Sequence, residues 1–430
     1  MTAVLGILNK HAVAIAADSA VTITGSKGHK ISNTANKIFM LSHSHPVGVA
    51  LYSSAQYMGT PWEIIIKLYR KKLQNRSFDT LKGYVNDFMQ YLRKEFAPTK
   101  DDKNQTFKDV LNIIWAHIEN ESLAENGGLT NENVDSFVSI LNRVLVRHSK
   151  ELEGNGTYDD FKSYSQSSFE RLYGKIITSF CEEVINTKPL LKGHLDKSDF
   201  RLLFGRLIYL SIVVPNKVFS QTGLVFVGYG EKEYFPAIEA LMISFSFGAR
   251  MRYHFIHEDK ITKDADAGIY PFAQHDVIDT IIEGIEPSLE RQFEKNSHSV
   301  IGEVLEAVAK VIATKDRNLA DQIANMDTKP ILKNLRELNR NIKKRKYIDP
   351  LLETVASFSK EELADMAESM IALTSLKRKM TSDEESVGGP VDVAIISKVD
   401  GFVWIHRKQY FDKDINIDFL INKLKSHECN

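Results

Sequence analysis

The chain has 430 residues, 43% of them apolar, enough for a substantial core in one large domain or two of ordinary size. Lys and Arg number 55 against 56 Asp and Glu, and the net charge of −1 excludes a global electrostatic pull toward nucleic acid or an anionic membrane. Cys181 and Cys429 are too few for a disulfide framework, no apolar run reaches about 18 residues, and the start lacks a signal-peptide pattern, so a cytoplasmic protein is expected.

In chain order, strands are predicted over Ala3 to Leu8, Ala12 to Ala17, Lys37 to Leu41 and Val47 to Leu51, all rich in Val, Ile and Ala. Thr60-Pro61-Trp62-Glu63 has the order of a capping box and predicts a helix to about Leu73 with Thr60 as its N-cap. Helical periodicity then dominates to about Arg201, broken by polar stretches at Pro98 to Gln105 and Glu151 to Asp160. Strand patterns return at Tyr209 to Val214, Leu224 to Gly228, Glu239 to Phe247 and Ala249 to His257, and helices resume near His275. Val300, Ile301, Val304, Leu305, Val308, Val311 and Ile312 recur at helical spacing and predict a core-facing stripe. Ser359-Lys360-Glu361-Glu362 is another capping box, followed by Leu363, Met366, Ala367, Met370 and Ile371 as a buried face. Val391 to Ser397 and Phe402 to His406 form a hairpin around Asp400-Gly401.

Several polar groups are read as structural. His254 and His257 fall in a strand, where an odd offset sends them to opposite faces, so zinc binding is not expected. Gly228-x-Gly230 lacks the rest of a dinucleotide fingerprint and reads as a turn. The run Arg340, Lys343, Lys344, Arg345 and Lys346 reads as a solvated helical face. His43 and His45 are assigned to a surface loop near the presumed active face.

The residues with chemical promise lie at the start. Thr2 follows the initiator methionine, which is commonly trimmed before a small residue; the exposed threonine would carry both a hydroxyl and an α-amine. An alkyl alcohol needs a base as it attacks, and an α-amine with an ordinary pKa of about 7.7–8.0 suits that task near neutral pH. A fixed cation depresses such an amine further; Lys37 is the candidate cation, with Asp18 to hold its ammonium.

Thr2, Val13 to Ser19 with its Ala16-Ala17-Asp18-Ser19, Asn36-Lys37-Ile38-Phe39 and Tyr52-Ser53-Ser54-Ala55-Gln56 together resemble the catalytic β subunits of the proteasome and the peptidase of the bacterial two-component ATP-dependent protease. The resemblance implies an N-terminal nucleophile hydrolase, an α+β protein built as a four-layer αββα sandwich. Thr2 is then nucleophile and base, Lys37 the amine-tuning cation and Asp18 its partner, with the backbone N–H of Ser53, where the family has glycine, as oxyanion donor. Val387-Gly388-Gly389-Pro390 resembles the family's Ser-Gly-Gly turn, which makes Glu384, Gly388 and Gly389 supporting candidates; Glu384 replaces an Asp and Val387 a Ser. Gly228-Tyr229-Gly230-Glu231 aligns with a Gly-Ser-Gly-Ser segment of the family.

The expected organisation is a single domain over 1–430, with a helical insertion at 75–205, an extended helical layer at 275–380, and the sheet completed by 390–407. The expected activity is threonine-type cleavage of peptide bonds through an ester on Thr2, requiring neither metal nor organic cofactor, on a peptide or protein substrate. A ring of copies and an ATPase partner are implied, and neither nucleic acid nor membrane is an expected partner. Two rivals stand beside it: an amidase whose inserted helices roof a private pocket over a small amide, and a structural ring subunit without chemistry.

Overall fold

The computed structural model describes residues 2–25, 28–195, 199–381, 387–409, 411–412, 415–417 and 421. Among them the strands are β1 Ala3–Asn9, β2 Val13–Ala17, β3 Val21–Gly25, β4 Gly28–Ser32, β5 Ile38–Met40, β6 Val47–Ser53, β7 Gln56–Tyr57, β8 Thr60–Pro61, β9 Thr222–Gly228, β10 Ala237–Phe247, β11 Arg250–Lys260, β12 Ala267–Ala273, β13 Asp392–Ser397 and β14 Gly401–His406. The α-helices are α1 Trp62–Leu73, α2 Leu81–Glu95, α3 Lys100–Asn126, α4 Val134–Glu153, α5 Gln166–Thr187, α6 Phe200–Val213, α7 Asp276–Glu283, α8 Pro287–Ala313, α9 Arg317–Ala324, α10 Lys329–Lys343, α11 Asp349–Ala356 and α12 Lys360–Met380.

This is a mixed α+β fold with two five-stranded sheets, ordered β12-β1-β2-β13-β14 and β11-β10-β9-β6-β5, antiparallel at every junction. Every residue of β1 and β2 is buried, which requires cover on both faces. The period of two divides them accordingly. Val4, Leu8, Val13 and Ile15 join Ala50, Val225, Val227 and Ala240 of the second sheet, whereas Leu5, Ile7, Ala14 and Ala16 meet Leu363, Ala367, Met370 and Ile371 of α12. On the far side of the second sheet, Val49, Leu51, Leu224 and Phe226 pack with Trp62 and Tyr69 of α1 and Phe88 of α2. No helix of the described residues is long and apolar enough to cross a membrane.

Helices α3 to α6 gather a separate core that includes Phe107, Leu141, Phe169 and Phe204. Arg252 of β11 ties this core to the sheet. Fully buried, its guanidinium donates to the carbonyls of Ile212 (2.8 Å) and Ser211 (3.0 Å), two of the orphan acceptors at the end of α6. The rings of Tyr158, Phe219 and Phe245 surround the same cation at 4.7–5.0 Å. Burial pulls the Arg252 pKa down to about 10, which leaves it charged at neutral pH.

Four expectations are corrected, and one strand, β12, was not expected. Tyr209 to Val214 closes helix α6 instead of forming a strand; an unbroken apolar run such as Leu207 to Val213 is equally compatible with a buried helix. Thr60 is not a cap, because its backbone pairs with Tyr57; the N-cap is Pro61 with no side-chain bond, and Glu63 turns to Lys67. The polar stretch at Pro98 to Gln105 contains the start of α3, capped reciprocally by Thr99 and Asp102. β12 was hidden by its Gly268 and Pro271, and Pro271 is tolerated because β12 is an edge strand. The stripe on α8 does not face the core: Val300, Val304, Val308 and Val311 are exposed, Ile301, Leu305 and Ile312 are half-buried, and Ala309 alone of that helix is buried.

The capping box at Ser359 with Glu362, and the hairpin of β13 and β14, match the sequence reading. Of the basic run, Arg340, Lys344, Arg345 and Lys346 are exposed, and Lys343 instead pairs with Glu283 and Glu290.

Arg252→Met should lower the unfolding free energy by about 2–4 kcal/mol, since each buried carbonyl left unpaired costs roughly 1–3 kcal/mol. Urea unfolding measures this, and Arg252→Lys should recover only part of it because a single ammonium cannot reproduce the planar fork.

Candidate active site

The β1–β2 hairpin sets the register that builds this site. Val4 pairs with Ala17, so Asp18 emerges opposite Ala3, and its amide donates to the Ala3 carbonyl at 3.3 Å. The Asp18 carboxylate then accepts four hydrogen bonds. Oδ1 takes the Ala3 amide (2.9 Å) and Lys37 Nζ (2.7 Å); Oδ2 takes the amides of Ala20 (3.0 Å) and Gly388 (3.1 Å). The single atom Oδ1 therefore joins the peptide N–H next to Thr2 to the Lys37 ammonium.

Lys37 comes from the other sheet. It precedes β5, and its carbonyl accepts from Leu51 of β6 at 2.8 Å. Its Nζ donates a second bond to the Ala20 carbonyl at 2.6 Å. Thr2, Asp18 and Lys37 are all buried. Burial is the main influence on Lys37 and lowers its pKa, while attraction to Asp18 opposes the shift.

A second ion pair, with its acid buried and its lysine half-buried, was not anticipated. Asp392, the first residue of β13 and opposite Ala17, accepts from the Lys408 amide at 2.9 Å and forms an ion pair with the Lys408 ammonium. The Lys408 charge further depresses Lys37, and the Asp392 charge raises it. A lone acid within the otherwise apolar Val391-Asp392-Val393-Ala394-Ile395-Ile396 was the available sequence signal.

The supporting turn is brought to this end as well. Gly388 donates its amide to Asp18 and accepts from the Ser19 amide at 3.0 Å, and Ser19 Oγ donates to the Pro390 carbonyl at 2.5 Å. Gly389 has φ +74°, and an added Cβ would lie 2.8 Å from Asn33 Cβ, so this position needs glycine for both conformation and space. Val387 packs in the apolar cluster under α12 instead of offering a polar group. Glu384 lies outside the described residues.

Ser53 ends β6 with φ 68°, a left-handed backbone that a non-glycine residue adopts only at a cost. It borders a cleft of about 1250 Å³ whose walls include Tyr52, Ser54, Phe272 and Ala273 from the sheet region and Asn216, Lys217 and Gln221 from the segment that leaves α6. Thr2 is buried and is not itself among the residues that line this cleft; it is joined to the lining through its neighbour Ala3, which pairs with Ala273, and through its carbonyl, which accepts from Gln274 at 3.1 Å.

Three other assignments change. Gly228-Tyr229-Gly230-Glu231 lies at the opposite end of the sheets from Thr2, because Ser53 pairs with Thr222 while Val47, six residues earlier, pairs with Gly228. At about 3.3 Å per residue that is a separation near 20 Å. The Tyr229 hydroxyl accordingly donates to His11 in the β1–β2 turn, at 3.4 Å. His45 sits at the same remote end, just before Val47, against Asn75 and Tyr84. His254 and His257 stand opposite Met242 and Ala240, hence on one face, because a β-bulge at Ile256 absorbs a residue. His254 lines the cleft; its Nδ1 has no hydrogen-bond partner among the described residues, and burial lowers its pKa.

No family model matches the chain, and no curated protein matches it. Among solved structures, it is similar to an Anbu Gly-1 mutant from Hyphomicrobium sp. strain MC1, at 8% identity and TM-score 0.29, over 100% of this chain and 97% of that one. It is also similar to Anbu, described as an ancestral beta-subunit, from Yersinia bercovieri, at 11% identity and TM-score 0.29, over 99% and 96% of the two chains. Scores this low transfer neither fold nor activity.

Asp18→Ala should destabilise the protein by about 3–5 kcal/mol, because it strands a buried ammonium. In a urea-unfolding cycle, adding Lys37→Met should cost much less in the Asp18→Ala background than in the native one. Ser53→Gly should raise stability by up to about 1 kcal/mol, because relief of the left-handed serine, roughly 1–2 kcal/mol, exceeds the roughly 0.5–1 kcal/mol entropic cost of glycine, read as a higher urea midpoint at unchanged slope.

Proposed function

We propose that this protein is a threonine-type N-terminal nucleophile hydrolase, related in design to proteasome catalytic subunits, which cleaves peptide bonds in an extended substrate. The observation that carries the reading is the shared oxygen of Asp18, which sets a buried lysine beside the first peptide bond after Thr2. The two stacked sheets, with α12 on one outer face and α1 and α2 on the other, support a four-layer αββα arrangement.

Once Thr2 is the first residue, its α-amine accepts the hydroxyl proton as Oγ attacks the substrate carbonyl carbon. The amide nitrogen takes that proton and departs, leaving an ester on Thr2. Water, activated by the same amine, then releases the acid and restores the hydroxyl. The Ser53 N–H serves as oxyanion donor, and its left-handed backbone is what aims that donor. The Lys37 charge disfavours protonation of the amine, and Asp18 keeps the ammonium in place.

A cleft of about 1250 Å³ exceeds the roughly 300–1,000 Å³ usual for small ligands, which favours a peptide over a small amide. The amidase reading keeps one observation in its favour: Asn216, Lys217 and Gln221, from the segment after α6, wall the cleft within a single chain. Light scattering separates them, a high-order ring favouring the peptidase and a monomer the amidase.

Treatment with a peptide epoxyketone should give a stable adduct in intact mass spectrometry, localised to Thr2 and absent in Thr2→Ala. Labelling that survives Thr2→Ala, or active protein whose first residue by Edman degradation is still methionine, would overturn the assignment. Activity should rise with pH through the pKa of the terminal amine, with a midpoint below the ordinary 7.7–8.0, roughly. Lys37→Met should move that limb upward toward this range in the pH profile of kcat/KM, because the cation that favours the neutral amine is gone.

A further inference from the structure

We propose that the α3–α4 helix pair carries a divalent transition-metal site, best suited to Zn²⁺, formed by His117, Glu121 and His148. His117 and Glu121 lie one turn apart on α3, and His148 faces them from α4; one ligating atom from each falls within 4.8 Å of the others. His148 Nε2 is already 2.6 Å from Glu121 Oε2, and the two imidazoles meet edge to face with centroids 5.3 Å apart. Two imidazoles on one tetrahedral zinc, at Zn–N of about 2.0–2.1 Å, would have centroids about 5 Å apart, so the rings are already spaced for a shared ion. Closure requires only that side chains turn slightly, since tetrahedral ligand atoms sit about 3.4 Å from one another.

The surroundings fit a metal-bound histidine. The other nitrogen of His148, Nδ1, faces Glu151 Oε2 at 3.5 Å, a charge contact and not a hydrogen bond, which favours this ring orientation and leaves Nε2 to bind the ion. Arg147 contacts Glu121 through Oε1, the oxygen not turned toward His148, and also reaches Glu125 at 3.0 Å, so it stays paired when Oε2 binds a cation. His117 is exposed, which leaves the fourth position to water. Two nitrogens and one carboxylate oxygen suit a borderline ion over Mg²⁺ or Ca²⁺, which prefer all-oxygen shells. The site lies outside the set built around Thr2, and the ion would clip α3 to α4 at the solvent-facing edge of the helical core.

Full-length protein stripped with a chelator and titrated with zinc sulfate in a calorimeter should bind one equivalent. Cobalt(II) in place of zinc should give the intense visible absorption of a tetrahedral site. His117→Ala and His148→Ala should each weaken zinc binding at least about tenfold, and Glu151→Gln by about tenfold through the lost orientation of His148, with unchanged circular dichroism. Thr2→Ala should bind as the native protein does. Absence of saturable binding, or unchanged affinity in the His117→Ala/His148→Ala double variant, would overturn the proposal.

Discussion

The structure depends on one carboxylate. Asp18 stands at the end of β2 and collects the Ala3 amide, the Gly388 amide of the turn before β13, the Ala20 amide and the Lys37 ammonium. Those partners come from both sheets and from chain positions more than 350 residues apart. A buried carboxylate is tolerable only when its lone pairs are filled and its charge met, and here both conditions hold. Meeting them ties the two sheets together at one end and places Thr2, Lys37 and the Gly388-Gly389 turn side by side.

The nearby cleft depends on a different buried charge. Arg252 caps the end of α6 and lies against Phe219, a residue of the segment that walls the cleft. The helical core is thus bolted to β11 by a group that cannot leave without exposing two carbonyls. Substrate access in the proposed function therefore depends on how α3 to α6 sit on the sheet, and the proposed metal clip between α3 and α4 would stiffen the same assembly.

Much of the sheet was legible because β1, β2, β6 and β9 are dense in Val, Ile and Ala, with turn residues between them. Ambiguity arose where local pattern carries no face information. The apolar end of α6 reads equally well as a strand, β12 is disguised by Gly268 and Pro271, and the bulge at Ile256 reverses the face of every residue beyond it. The valine stripe of α8 shows the converse: periodicity reveals a sided helix but says nothing about whether a neighbour covers that side.

By itself the sequence determined the order of chemical groups: a threonine just before the first strand, an Asp-Ser at a strand end, a lysine before the next strand, and a double-glycine turn before the last hairpin. Only the tertiary structure decided which of these meet. It brought Asp18, Lys37 and Gly388 together, added the Asp392–Lys408 pair, and carried Tyr229, Glu231 and His45 to the far end of the sheets. The reason is that strand direction and register, fixed by long-range pairing, choose the end at which each loop emerges, and the spacing of residues along the chain does not encode that choice.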